Sequence, residues 1–418
     1  MDLQSFLNQK PLYYDEIDYT RFPRAHDAIK EHLQTPKIIH IIGTNAKGST
    51  GRFLALILRA NGRKVGHYTS PHITSFNERF WLDGALVSDK SLQNAHEKLI
   101  GYFKQERAEH FIDALSYFEW ATLLAAQLFR DCDELIMEAG MGGEHDATNV
   151  FSKKLSIFSP IDMDHTAMLG DSLAQIARTK LNAMCENALL CGFNAKNQTI
   201  YNVAKDIAAK NGAKLQIAQF QGGINKASKI YARKYSGFLR QNFYLAYFAS
   251  KKLGARLNKR ILKHLAPLDL KGRFWQIKSN LILDVGHNAH AAQALKQDLS
   301  QRLRGKKASL IYNAFFDKDI KAVLSTLAPC FDEVLIYQYN STQRKLGTKK
   351  IYQVCQELGL KCRDFTPADM QKIKKRSYKK TTNLASFTNK MSKNFYVVFG
   401  SFMLVDAFLG DFNGTTKK

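Results

Sequence analysis

Cysteine and proline are scarce in this 418-residue chain, at six and eight residues, and glycine is ordinary at 25. Low proline and glycine, with aromatic residues at 11%, exclude collagen-like and low-complexity classes. Cys132, Cys185, Cys191, Cys330, Cys355 and Cys362 are too few to staple so long a chain. None falls in a CxxC pair, so no zinc site is expected, and free thiols in a reducing cytoplasm are. No apolar run approaches the ~18 residues of a spanning helix. The richest, Phe53–Leu58 and Phe243–Ala249, are far shorter, so no membrane partner is expected. The opening MDLQSFLNQK and the acidic PLYYDEIDY after it lack the basic and apolar blocks of a signal peptide. There is no internal repeat.

Apolar residues at 45% are enough for real cores, and the length favours two domains. The 61 basic and 37 acidic residues are unevenly placed. Residues 1–150 hold 16 basic and 20 acidic (16 − 20 = −4), and the remainder holds 45 and 17 (45 − 17 = +28). A basic half suits nucleic acid and small polyanions equally. The stretch 371–394 carries eight Lys/Arg and no acid, as either a solvated face or a docking patch for a polyanion.

Periodicity alternates strand and helix. Strands are expected at Lys37–Ile42, Lys64–Thr69, Glu134–Glu138 and Leu155–Ile161, and helices at Ser49–Ala60 and Ser116–Phe129. The rhythm breaks around Ala266–Gly272 and restarts. Strands follow at Leu281–Val285, Ser309–Asn313, Glu333–Gln338 and Phe395–Phe399, with helices at Ala289–Leu303 and from Ser401. This is the α/β class, a mainly parallel sheet covered by helices, with ligands at the strand C-termini. The expected domains are 1–267 and 268–418.

GTNAKGST at Gly43–Thr50 follows a strand and opens a helix. A phosphate loop needs inward backbone N–H groups, a lysine for the β/γ oxygens and a hydroxyl near magnesium. Those types are present, although Ala46 and Gly48 break the strict GxxxxGK[ST] spacing, and a Gly-rich turn has the same composition. Three further stretches come to the same sheet edge. By itself the Ser70 loop reads as a plain turn, and Glu138 reads either as a carboxylate for a hard cation or as an exposed Glu in a Gly-rich turn. His165 adds a further metal-competent group. Ser70 lies in the loop containing Pro71 and His72, Glu138 ends its strand, and Asp164–His165 follow another.

These blocks, in this order, resemble the Mur-ligase superfamily of ATP-dependent amide-forming ligases, and within it the folylpolyglutamate synthase/dihydrofolate synthase family. The match comprises GTNAKGS at Gly43–Ser49, TSPHI at Thr69–Ile73 with Glu78–Arg79, and YFEWAT at Tyr117–Thr122. EAGMGGEHDATN at Glu138–Asn149, DHTAMLG at Asp164–Gly170 and IARTK at Ile176–Lys180 follow. Asn242, KGRF at Lys271–Phe274, DVGHN at Asp284–Asn288, DKD at Asp317–Asp319 and FGSF at Phe399–Phe402 complete it. It runs from about residue 19 to 405, nearly the whole chain.

The resemblance implies an N-terminal P-loop ATPase-type domain and a smaller Rossmann-like C-terminal domain. Thr44, Asn45, Ala46, Lys47, Gly48 and Ser49 would cradle ATP phosphates, with Asn242, Arg273, Asp284 and His287 also toward the nucleotide. Ser70, Glu138 and His165 would hold magnesium, and Lys180 matches a lysine that the family carbamylates to ligate a second ion. Lys47, His165 and Lys180 are thus the expected catalytic groups. Ser116, Tyr117, Phe118, Glu119, His145, Asp146 and Ala147 match positions that contact the pterin.

The implied reaction is amide formation between L-glutamate and dihydropteroate or a reduced folate, through an acyl phosphate, by a cytoplasmic enzyme that need be no more than a monomer. Two departures stand out. Ala46 replaces a glycine, so a positive φ there would bring strain of about 1 kcal/mol. The family's GGR becomes Gly142–Gly143–Glu144. The competing expectations are a nucleic-acid-binding P-loop NTPase and a cell-wall peptide ligase.

Overall fold

The computed structural model describes residues 2–12, 18–194, 197–220, 222–341, 344–375 and 395–414. Most of the basic stretch 371–394 therefore lies outside the described residues. The chain divides into two compact units, Met1–Ser228 with Asn242–Ala266, and Lys229–Gln241 with Pro267–Lys418.

The first unit is built on an eight-stranded sheet. Its strands are β1 (Ile38–Ile42), β2 (Val65–Tyr68), β3 (Phe80–Leu82), β4 (Ala85–Leu86), β5 (Glu134–Glu138), β6 (Lys153–Phe158), β7 (Asn187–Cys191) and β8 (Lys214–Ala218). Their order is β4-β3-β2-β5-β1-β6-β7-β8. Pairing is parallel from β2 across to β8, and antiparallel only at the β3 and β4 edge. β1 reads IIHII with every residue buried, as a strand covered on both faces must be. One face packs Trp120, Leu123, Leu124 and Phe129 of the helix Tyr117–Phe129 with Phe6, Leu99 and Phe103. Another core cluster gathers Ile42 and Phe158 with Ile176, Leu181, Ile200 and Val203.

The chain leaves β1 for β2 on one side, and β5 connects across β1 to β6 on the other. That reversal opens a crevice at the strand C-termini, the ligand position in open α/β sheets. The exits of β5 and β6 are tied to β1: Ala139 N donates to Ile41 O (2.9 Å) and Ser159 N to Ile42 O (2.8 Å).

The second unit holds β9 (Trp275–Lys278), β10 (Leu281–Asp284), β11 (Ala308–Tyr312), β12 (Phe331–Ile336), β13 (Lys361–Asp364) and β14 (Tyr396–Phe399). The order is β13-β12-β11-β14-β10-β9, parallel except for β9. The helix Ala289–Leu303 runs over the residues its pattern indicated. A single break at 268 misses one feature, since Lys229–Gln241 belongs with this unit. There the buried carboxylate of Asp298 accepts from Gly237 N (2.5 Å), and Tyr235 Oη accepts from Leu268 N (3.2 Å).

All six cysteines are free. Among the described residues, no helix is long and apolar enough to cross a membrane.

Candidate active site

The loop after β1 turns at Gly43, where an added Cβ would stand 2.1 Å from Ser159 Oγ, so only glycine lets the loop lie on the exit of β6. Thr44 N and Asn45 N both donate to Pro160 O, at 2.9 and 3.1 Å. Thr44 Oγ1 adds a bond to Asp162 O (2.9 Å). These N–H groups, expected to face phosphate, instead tie the loop to the next strand's exit. The donors available to an anion are those opening the helix Lys47–Ala60, ahead of Thr50 N, which reaches Ala46 O at 2.9 Å. Ala46 sits at φ +69°, ψ −3°, left-handed backbone that an alanine adopts only under strain.

Two lysines converge on one carbonyl. Lys47 Nζ donates to Gly43 O at 3.2 Å, and Lys180 Nζ to the same oxygen at 3.4 Å. Lys180, near the end of the helix Leu173–Leu181, is only 3% exposed. Burial first, then the Lys47 ammonium, lower its pKa to about 7, against the opposing pull of Asp164 and Asp146.

Glu138 ends β5, 3% exposed, with Oε1 3.8 Å from Lys47 Nζ. Its other oxygen accepts from the Thr69 hydroxyl and from Ser70 N (3.2 Å). Ser49 Oγ accepts from Asn242 Nδ2 (2.8 Å). The fold thus brings the phosphate loop, Ser70, Glu138, Lys180 and Asn242 to the C-terminal edges of β2, β5, β1 and β6. His165 stands on a turn at φ +52°, 42% exposed along its side chain, with Nε2 4.0 Å from Asp164 Oδ2.

Beside this edge lies an aromatic wall. Phe118 packs on Gly140, where an added Cβ would meet the ring at 2.6 Å. Arg79, 7% exposed, stacks on Tyr117 (5.3 Å) and donates from Nε to His72 Nδ1 (2.9 Å). Burial and that guanidinium lower the His72 pKa to about 4, leaving it a neutral acceptor. Ser116 and Glu119 form the capping box of the helix Tyr117–Phe129, and Glu119 also binds Arg21 (3.0 Å).

His145 lies against Tyr19, ring centroids 4.3 Å apart. Glu144, in place of the arginine, accepts from Asn182 Nδ2 (2.7 Å). Asp146 caps the short helix Ala147–Val150, where Ala147 is buried. Thr69 and Arg79 lie within the matched blocks, but their partners become visible only once the strands are laid side by side.

In the second unit, Asp284 ends β10, with its two oxygens accepting from Phe274 N and Gly286 N, both at 2.8 Å. Burial raises its pKa, opposed by these bonds and by Arg273 and His287. Arg273 lies over Phe402 (4.9 Å), and His287 Nδ1 is 3.2 Å from Val285 O.

Among curated proteins, the chain is 30% identical over 328 residues to a dihydrofolate synthase/folylpolyglutamate synthase of Haemophilus influenzae, covering 71% of this chain and 73% of that one. The chain belongs to the folylpolyglutamate synthase/dihydrofolate synthase family. A solved folylpolyglutamate synthetase of Helicobacter pylori is 36% identical, with a TM-score of 0.72 over 99% of this chain and 98% of that one. A Mycobacterium tuberculosis folylpolyglutamate synthase, 23% identical over 98% of this chain and 97% of that one, shares the fold at a TM-score of 0.81. No family model matches the chain. The kinship decides against a nucleic-acid-stimulated NTPase and a cell-wall peptide ligase.

Proposed function

We propose that this chain is an ATP-dependent ligase joining L-glutamate to the carboxylate of a pterin or folate, as dihydrofolate synthase and folylpolyglutamate synthase in one cytoplasmic enzyme. The observation that carries this reading is the convergence of Lys47, Lys180 and Glu138 on the phosphate loop at the sheet's reversal point. A carboxylate does not react with an amine because its leaving group would be oxide. The chain's task is to position an acceptor carboxylate against the γ-phosphorus of ATP and to neutralise the charge in transit.

Lys47 and the first-turn N–H groups of its helix face the phosphates in this account, with Asn242 holding the Ser49 hydroxyl. Tyr117 and Phe118 supply the wall for the pterin, and Asp146 and Ala147 its loop. A carboxylate oxygen of the acceptor bonds to the γ-phosphorus as the bond to ADP breaks. The neutral amine of glutamate then bonds to the acyl carbon and loses its proton, and phosphate leaves with one of the acceptor's oxygens.

The donor set fits magnesium: Glu138 is a buried hard oxygen ligand, and the buried Lys180 amine is held near neutrality, as carbamate formation requires. Ser70, Glu138 and His165 would hold one ion, and Lys180 as its carbamate a second. When bound, magnesium supplies charge neutralisation at the phosphoryl oxygens. Lys47, which disfavours an ammonium at Lys180, favours a carbamate anion there. We also assign Arg273, Asp284 and His287 to the nucleotide.

The test is phosphate release from ATP with glutamate, comparing dihydropteroate, tetrahydrofolate and no acceptor. Release with both acceptors and not without them is expected. Release independent of acceptor, or stimulated by RNA, would refute the assignment.

A further inference from the structure

His40 is fully buried at the middle of β1, in a strand otherwise made of isoleucine, and no step above uses it. A buried imidazole among aliphatic groups needs a hydrogen-bond partner. Its Nε2 lies 2.7 Å from Thr148 Oγ1, which in turn lies 2.6 Å from Asp146 Oδ1. Asp146 also accepts from Thr148 N (3.0 Å) and Met141 N (2.9 Å). Burial raises the Asp146 pKa, and these donors oppose the rise. The Thr148 hydroxyl has one proton, and it goes to Asp146, so Oγ1 must accept from His40. The ring is therefore the Nε2–H tautomer, and Nδ1 is left as a lone pair. Among the described residues, Nδ1 is indeed buried without a hydrogen-bond partner. Burial first, then the charge of Lys153, lowers the His40 pKa to about 3, which keeps the ring neutral.

Asp146 is the hub of its loop: one oxygen ties Met141 after the β5 exit, and the other caps Ala147–Val150. We propose that His40 and Thr148 are positioning residues for the acceptor, acting through a one-directional relay that fixes the Asp146 carboxylate and with it the loop Gly140–Val150. This rests on the reading that Asp146 and Ala147 face the pterin. A scaffold bond alone would weaken binding of every substrate or none. The relay predicts an effect confined to the acceptor.

The test compares His40→Leu and Thr148→Val with the donor-retaining His40→Gln and Thr148→Ser. The first two should raise KM for the pterin acceptor about tenfold, with kcat and the KM for ATP within about twofold. The retaining variants should recover to within about threefold of wild type, and the double variant His40→Leu/Thr148→Val should be no worse than either single one. Parallel rises in KM for ATP, an unmoved acceptor KM in a folded variant, or additive effects would overturn the proposal. If His40→Leu does not fold, the Thr148 pair decides it alone. The 15N shifts of the His40 ring give a readout independent of turnover: Nε2–H is expected, and Nδ1–H overturns the relay. A wild type inert with every pterin acceptor would refute the functional reading instead, and the tautomer would still decide the relay.

Discussion

Lys180 offers the sharpest chemical prediction. Carbon dioxide adds only to a neutral amine, forming an N–C bond and releasing one proton. An ordinary lysine at pH 7 is neutral in about one molecule in 3,000, given its usual value of 10.5. With its pKa lowered to about 7, Lys180 is neutral in about half, a gain of roughly a thousandfold. The neutral share rises from about a tenth at pH 6 to about nine tenths at pH 8.

The unfolded chain binds the proton more tightly than the folded one, so Lys180 adds stability as pH climbs from about 7 toward 10.5 and none below that window. The assay is 13C NMR of protein equilibrated with 13C-bicarbonate. One carbamate resonance should grow through pH 7, disappear in Lys180→Met, and fall with activity when carbon dioxide is stripped. No resonance, or one that survives in Lys180→Met, would refute the reasoning.

Ala46→Gly should relieve left-handed strain of about 1 kcal/mol while gaining unfolded-state entropy, for a net stabilisation of about 0.5 kcal/mol and a Tm higher by about 1–2 °C. A calorimetric transition that does not rise would contradict the strain. Asp284→Ala leaves two backbone N–H groups, of Phe274 and Gly286, without their acceptor, and should destabilise the second unit by about 2–4 kcal/mol. Urea unfolding followed at Trp275 should show this while the first unit's transition stays in place.

Much of the architecture is legible in the residues because local physics sets it. KIIHII reads as a strand covered on both faces, and GTNAKGST after it announces a helix, expected from Ser49 and begun in the structure two residues earlier, at Lys47. The carboxylate of Glu138 is readable as a strand-end group for the same reason. What escapes the sequence depends on partners distant along the chain. Nothing in Lys229–Gln241 shows that Asp298, 61 residues beyond Gly237, will hold it. Thr44 and Asn45 look like phosphate donors until β6 brings Pro160 beneath them. Ser116 and Glu119 match ligand positions, yet their spacing is also a capping box, and the structure forms it. His40 carries no signal at all, because its meaning lies in Thr148, 108 residues away.

The measurement that bears most directly on the whole account is oxygen transfer. Acceptor labelled with 18O in the reacting carboxylate is incubated with ATP and L-glutamate, and the released phosphate is weighed by mass spectrometry. Activation as an acyl phosphate requires one labelled oxygen in each phosphate formed. Amide product accompanied by unlabelled phosphate would contradict it.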